Sequence, residues 1–281
     1  MKILDGRAVA QKIRGELSQT VNDLKDKHGI TPAVALVLVG EDPASASYVT
    51  LKSRISKRVG IHSNIYRLPQ NTGEPEIVQL IQALNSDQNI HGIVIQLPLP
   101  AHLEEEKITM LVSPKKDVDG LHPLNYGRLL LGLDCSVSPA AQGILTLLDH
   151  YQIDLKDKHV VIVGVNKLLG KPLALSVLER GAILTLCDKA SESLENYTRM
   201  ADVLVVDVGV ASFIKKGMVK KESVIIDCGN NYVDGRVVGD VAFEQIKDIA
   251  SYITPVPGGV GPMLTAMLMS NIIQAAKDRI S

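Results

Sequence analysis

Residues 159–181 read HVVIVGVNKLLGKPLALSVLERG. A short β-branched run, a glycine at 164, five residues, a second glycine at 170 and an apolar-periodic segment predict a strand, a tight turn and a helix, with Pro172 near the helix start and Gly181 at its end. Three further runs, AILTLC (182–187), VLVVDV (203–208) and SVIIDC (223–228), follow about every twenty residues. Strands spaced by helical segments in this way form a βαβ nucleotide-binding pattern with a parallel sheet.

Outward from there, the first half has the same texture. AVALVLV (33–39) and GIVIQL (92–97) read as buried strands, and helices are expected at about 7–27, 44–59 and 74–85. The texture changes near 120–140, where LNYGRLLLG and AAQGILTLLDHY look helical, so a domain boundary bridged by a helix is expected there. The segment 262–280 has apolar residues at helical spacing and should pack back on one domain. No repeat of fixed period and no low-complexity tract is present.

The 281 residues are enough for about two domains of roughly 150 residues each. With 46% hydrophobic and 22% charged residues the composition is that of a folded globular chain, not a disordered one. A net charge of -1 supplies no field for a polyanion or a membrane surface, which argues against nucleic-acid and membrane roles. No apolar run approaches the ~18–20 residues a bilayer needs, and the first fifteen residues mix charges throughout, so a cytoplasmic protein is expected. Cys135, Cys187 and Cys228 form no C-x-x-C, which fits free thiols in a reducing compartment and argues against a cysteine-based metal site.

The turn from Gly164 through Val165 and Asn166 to Gly170 departs from G-x-G-x-x-G, yet it can present backbone N–H groups and a helix start to a pyrophosphate. It can equally be an ordinary βα turn. Asp188 ends the next strand 24 residues after Gly164, where an acid can hydrogen-bond a ribose hydroxyl or simply cap a loop. Lys189 after it is either a solvated charge or a partner for a 2′-phosphate. The stretch 254–262, TPVPGGVGP, alternates fixed and free bonds and reads as a cleft wall or as a domain-crossing loop.

In the first half, Tyr48 and Lys52 share one face of the helix expected at 44–59. They form either an aromatic platform beside a base or an exposed surface pair. A lysine works as a base near neutral pH only when burial or nearby cations depress its pKa, and Arg54, Lys57 and Arg58 are expected to make its neighbourhood cationic. Gln96 ends an apolar strand, at the edge where open α/β sheets bind ligands, and can orient an ammonium group or cap a loop. In KKDVDG, Asp117, Asp119 and Gly120 form either a self-satisfied turn or a grip on an N–C–N edge.

Taken together, ILDGRAVA (3–10), LVGEDPASASYVTLKSR (38–54), GIVIQLPLP (92–100), SPKKDVDGLHPLNYGRL (113–129), the GKP at 170–172, VIIDCGNN, VGDVAF and ITPVPGGVGPM resemble the bifunctional methylenetetrahydrofolate dehydrogenase/methenyltetrahydrofolate cyclohydrolase family over nearly the whole chain. The resemblance implies a two-domain α/β fold with a folate cleft between the lobes. Residues 1–120, completed by the helix at 263–281, would be the folate-binding catalytic domain, and 121–262 a Rossmann-type nucleotide-binding domain. It further implies a homodimer, service to purine biosynthesis, and no metal. The reaction would be oxidation of methylenetetrahydrofolate with NADP or NAD, then hydrolysis to 10-formyltetrahydrofolate. By matching position, Lys52 carries the hydrolytic step with Gln96 orienting it, Tyr48 stacks on the folate ring and Asp119 hydrogen-bonds the pterin. Pro98, Pro257, Gly258 and Gly259 would line the substrate, and Gly164, Val165, Asn166, Gly170, Asp188, Lys189 and Asn230 the dinucleotide.

The departures from the family pattern cluster near the dinucleotide. Val165 and Asn166 stand where arginine and serine usually reach a 2′-phosphate, Asp188 and Lys189 replace His-Ser, Ser138, Pro139, Ala140 and Ala141 stand where Pro-Cys-Thr-Pro is usual, Asn230 replaces a frequent isoleucine, and Leu264 stands where threonine is usual. An acid near a ribose diol favours NAD, whereas Lys189 and kinship favour NADP. Three functions follow: a working bifunctional enzyme, a cyclohydrolase lacking the dehydrogenase, or a non-catalytic folate- or nucleotide-binding protein.

Overall fold

The structure, a computed structural model, describes residues 1–280 of the 281. In chain order the elements are β1 (Lys2–Ile3), α1 (Gly6–His28), β2 (Ala33–Val39), α2 (Pro43–Val59), β3 (His62–Leu68), α3 (Glu74–Ser86), β4 (Gly92–Ile95), α4 (Glu105–Thr109), α5 (Pro123–Leu130) and α6 (Pro139–His150). They continue with β5 (His159–Val163), α7 (Gly170–Glu179), β6 (Ile183–Cys187), α8 (Leu194–Thr198), β7 (Val203–Val206), β8 (Val224–Asp227), β9 (Asn231–Val233), β10 (Arg236–Val238), α9 (Phe243–Ile246), β11 (Tyr252–Ile253) and α10 (Val260–Lys277).

Two compact units result. One comprises residues 12–139 and 265–281 and holds a three-stranded parallel sheet ordered β3-β2-β4. Its middle strand explains why a run of seven apolar residues is needed. Val34, Leu36 and Leu38 enter a core with Val21 and Leu24 of α1, Val49 of α2 and Leu268, Ile272 and Ile273 of α10. The alternate residues, Ala33, Ala35, Val37 and Val39, enter a second core with Ile77, Ile81 and Leu84 of α3. A parallel strand covered on both faces has no solvent side, so alternation disappears from its sequence. Each large side chain so buried contributes about 1.5–3 kcal/mol.

The other unit comprises residues 1–11 and 140–264. Its six-stranded sheet runs β1-β11-β8-β7-β5-β6 and every pairing in it is parallel. The order turns outward in both directions from β5, with β6 on one side and β7 on the other. That reversal is the topological switch point at which doubly wound sheets bind nucleotides beyond their strand ends.

These limits differ from the expected boundaries at 120/121 and 262/263. The N-terminal residues join the six-stranded sheet because Lys2 and Ile3 pair with Tyr252 and Ile253, and Arg7 N donates to Gly258 O at 2.9 Å. Residues 120–139 stay with the first unit for a packing reason. A Cβ at Gly120, whose φ is +67°, would lie 2.7 Å from Ser136 O, and Asn271 Nδ2 donates to both Val118 O and Val137 O at 2.9 Å. Helices α1 and α10 therefore each begin in one unit and end in the other.

Strand β3 has no counterpart among the sequence expectations. As the outer strand of its sheet, HSNIYRL carries four polar residues and buries only Ser63 fully, so no apolar run marks it. No helix among the described residues is long and apolar enough to cross a membrane.

Candidate active site

Helix α2 starts on Asp42, whose carboxylate accepts from Ser45 N at 2.7 Å, with Pro43 in the first turn. It ends on Gly60, at φ +97°, whose N–H donates to Lys57 O and Ser56 O. Between these stops Tyr48 and Lys52 stand one turn apart, Tyr48 exposed and Lys52 half-buried. Strand β4 ends beside them. Gln96 N continues its ladder by donating to Val37 O at 2.9 Å, and the side chain, 9% exposed, turns towards α2. Lys52 Nζ donates to Gln96 Oε1 at 3.1 Å, while Gln96 Nε2 donates to Leu97 O at 2.7 Å. The amide is thereby locked with its oxygen towards the lysine. Pro98 follows on a cis bond and is exposed.

The expected cationic crowd around Lys52 is arranged otherwise. Arg54, Lys57 and Arg58 line a groove of about 510 Å³ with Thr50, Ser53 and Ile65, to which Lys52 does not contribute. Helical spacing puts them on the other flank of α2. Lys52 acts instead on Asp119, whose carboxyl is pushed up from its ordinary range by burial, pulled back by the lysine's charge and pushed up again by Asp117.

The two acids of KKDVDG stand in different surroundings. Asp117 is the turn acid: its carboxylate accepts from Leu121 N at 3.1 Å and from His122 N and Asn125 Nδ2 at 2.8 Å each. Asp119 has no such backbone ties, and the charge of Lys52 acts on its carboxyl.

In the other unit, the chain leaves β5 into Gly164, at φ +128°, and enters α7 at Gly170. A Cβ on Gly170 would lie 1.8 Å from Gly164 O, and one on Gly164 would lie 2.2 Å from Asp207 O. Only glycine permits this approach, and it aims the start of α7 at the switch point, the arrangement that accepts a pyrophosphate. Asn166 is consumed by the turn itself: its amide oxygen accepts from Leu168 N and Leu169 N at 3.1 and 2.8 Å, and Nδ2 donates to Asp207 Oδ2 at 2.7 Å. Val165 is exposed, and Asp188 and Lys189 are exposed just beyond β6. Asp188 Oδ1 accepts from Ala190 N at 3.0 Å.

Sequence reasoning missed the acid that ends β8 and the one that follows β10. Asp240, wholly buried, accepts from Val208 N, Gly209 N, Val210 N and Asn231 Nδ2 at 2.6–3.0 Å. Asp227 accepts from Gly229 N, Asp240 N and Val241 N at 2.9–3.0 Å. Burial lifts Asp227 to about 6 despite those three bonds, and burial with the neighbouring carboxylates pushes the Cys228 thiol well up. For Asp227, an acid directly following an apolar β-branched run was the available signal. Asn230 is exposed between β8 and β9. In 254–259, Gly258 and Gly259 are buried and Pro257 is exposed; Gly259 N donates to Pro255 O at 2.8 Å and Thr254 Oγ1 accepts from Asp227 N at 2.7 Å. Among the described residues no group of three or more His, Cys, Asp or Glu side chains can hold a metal ion.

A parallel sheet with a glycine turn at its switch point, in one chain with a second α/β unit bearing a Lys–Gln–Asp constellation, defines a two-domain α/β protein of the nucleotide-dependent enzyme class. The chain belongs to the tetrahydrofolate dehydrogenase/cyclohydrolase family: residues 4–119 match that family's catalytic domain and 138–280 its NAD(P)-binding domain. It is 45% identical over 279 residues to "Bifunctional protein FolD" of Nitratiruptor, covering 99% of both chains. It superposes with TM-score 0.98, at 42% identity and 99% coverage of each chain, on the bifunctional methylenetetrahydrofolate dehydrogenase/cyclohydrolase of Campylobacter jejuni. A Trypanosoma brucei dehydrogenase-cyclohydrolase, solved with NADP cofactor and an inhibitor, gives TM-score 0.95 at 31% identity, over 99% of this chain and 98% of that one.

Proposed function

We propose that the protein is a bifunctional enzyme of folate one-carbon metabolism that oxidises methylenetetrahydrofolate to methenyltetrahydrofolate with a nicotinamide dinucleotide and hydrolyses the product to 10-formyltetrahydrofolate. The observation that carries this reading is the bond from Lys52 Nζ to Gln96 Oε1, beside the Asp119 carboxyl, in a chain that also holds the glycine turn.

The substrate's bridging carbon sits between two nitrogens. Loss of hydride from it leaves a resonance-stabilised N–CH–N cation, so the dehydrogenase step asks the protein mainly for alignment. When bound, the dinucleotide accepts the hydride; Gly164, Gly170 and the start of α7 would hold its pyrophosphate. In the second step water adds to the cationic carbon, a proton leaves, and one C–N bond breaks to give the formyl group. Lys52 is suited to move that proton, and Gln96 fixes the direction of its amine. Asp119, as a carboxylate, accepts hydrogen bonds from the N–C–N edge of the pterin, and Tyr48 offers a ring to stack on it. Pro98, Pro257, Gly258 and Gly259 complete the substrate contacts in this reading.

NAD is the dinucleotide the residues favour. Positions 165 and 166 carry no cation, the Asn166 amide is already engaged, and Asp188 offers its carboxylate to a ribose diol, while Lys189 and the family's usual NADP argue the other way. Homodimeric assembly and supply of formyl groups to purine biosynthesis belong to the same reading and rest on the family resemblance, and a cytoplasmic location rests on the charge pattern and the unpaired cysteines of the sequence.

The test is spectrophotometric. Purified protein with methylenetetrahydrofolate should reduce NAD, and added methenyltetrahydrofolate should lose its absorbance faster than in buffer. Absence of both changes at saturating substrate would refute the reading; hydrolysis without reduction of either dinucleotide would leave a cyclohydrolase only.

A further inference from the structure

We propose that Asp117 is a positioning residue for the folate site, holding Asp119 against Lys52 and in register with Gln96. The inference rests on the reading of Asp119 given above. Its ground is the geometry of one short loop. Asp117 is 5% exposed and ties Leu121 N, His122 N and Asn125 Nδ2 to its two oxygens. Asn125, 3% exposed, also donates to Pro114 O at 3.1 Å, which closes the loop on its far side.

The backbone of Asp117 is pinned as well. It bridges Ile93 of β4, and Ile93 N donates to Lys116 O at 2.8 Å. Gln96 lies three residues beyond Ile93 and Asp119 two beyond Asp117, so the two functional side chains diverge from a single bridge. With Val118 O held by Asn271, Asp119 is the acid of the loop whose carboxyl has no backbone donors and on which the charge of Lys52 acts. A buried carboxylate is tolerable here because three donors meet it, and those donors lose their partner if it changes.

Asp117→Asn keeps the shape but replaces one oxygen by an amide that donates. If Nδ2 takes the position of Oδ2, it faces the two donors His122 N and Asn125 Nδ2; the opposite amide orientation leaves Leu121 N opposed instead. The loop must relax, and a displacement near 1 Å can cost about a hundredfold in rate. The substitution also removes a negative charge. Asp119 is faced by Lys52 from α2 and by Asp117 from its own loop, so without Asp117 the Asp119 carboxyl ionises at lower pH.

The experiment compares wild type, Asp117→Asn, Asn125→Ser and Asp119→Asn by steady-state kinetics in both reactions. Asp117→Asn should raise the folate KM about tenfold in each, leave the dinucleotide KM within about twofold, and move the acid limb of folate kcat/KM to lower pH. Asn125→Ser should raise the folate KM less and leave the limb in place, because the charge remains. A folded Asp117→Asn with unchanged folate KM, when Asp119→Asn raises it, overturns the proposal, as does an equal rise in the dinucleotide KM. Should Asp117→Asn fail to fold, unchanged folate KM in Asn125→Ser overturns it. If Asp119→Asn itself leaves folate KM unchanged, the assignment of Asp119 falls and the positioning role with it.

Discussion

Asn166 and Asp207 are joined at 2.7 Å, so the turn leaving β5 is fastened to the residue that ends β7. The bond closes the floor of the switch point and commits the one polar side chain of the Gly164–Asn166 step to the protein itself. In the proposed reading, what remains to distinguish the two dinucleotides lies beyond β6, at Asp188 and Lys189.

Asp188→Ser should therefore raise the kcat/KM ratio of NADP to NAD by about tenfold, since removing the carboxylate removes both a ribose partner and a repulsion. The ratio is measured with methylenetetrahydrofolate saturating. An unchanged ratio would mean that this side chain does not meet the ribose.

Lys52→Met should slow methenyl hydrolysis by about 10²–10⁴-fold, the usual worth of a positioned proton carrier. Reduction of the dinucleotide should persist, because hydride transfer does not use the amine. Equal loss of both activities would contradict the division of labour proposed for this helix.

Gly170→Ala should do the reverse. The added methyl would meet Gly164 O at 1.8 Å, forcing the start of α7 off the turn. Dinucleotide KM should rise by at least about tenfold on the cost expected for a misplaced binding group, with hydrolysis retained. Loss of hydrolysis in equal measure would show that the substitution disrupts more than the cofactor turn.

Folate binding should weaken as pH falls through the Asp119 pKa, which burial raises above the ordinary carboxylate range. Protonation replaces an acceptor by a donor at the pterin edge. In Lys52→Met the weakening should begin at higher pH, because the cation that favours the ionised form is gone. Folate affinity measured by quenching or calorimetry against pH gives both limbs.

His91 supplies a stability test independent of activity. Burial, then Arg279 and Lys116, lower it to about 4, and its Nδ1 must stay unprotonated to accept from Ala33 N at 3.1 Å. The unfolded chain takes up the proton first, so stability is intact above the ordinary histidine pKa and is lost as pH falls from there to about 4. At ~1.4 kcal/mol per pH unit the loss is of order 3 kcal/mol. His91→Asn keeps an acceptor without the titration, so the wild-type-minus-variant difference in unfolding free energy should shrink on acidification. A difference flat with pH would contradict the assignment.

How much of this could be read in advance depended on burial. AVALVLV and VLVVDV announce themselves because strands covered on both faces must be apolar throughout. HSNIYRL, at a sheet edge, obeys no such rule, and the two residues of β1 are too few to carry a pattern. The Tyr48–Lys52 spacing and the place of Gln96 followed from helical and strand geometry. Asp117 and Asp119, by contrast, are indistinguishable as letters. Only three-dimensional donors show that the first is sated by backbone and the second is not. The Asp207, Asp227 and Asp240 network escaped for the same reason, since its partners lie far apart in the chain.

The pairing of Lys2 and Ile3 with Tyr252 and Ile253, together with the passage of α1 and α10 from one unit to the other, bears on biogenesis. Strand β1 waits for β11 to be made, and the core around Leu36 waits for Ile272 and Ile273 of α10. Neither unit can close vectorially during translation, and such late, non-local closure is slow and leaves apolar surface uncovered meanwhile. A stop codon before α10 would thus leave the core around Leu36 open although every strand of both sheets had been made, and chaperone capture of the nascent chain should persist until α10 emerges.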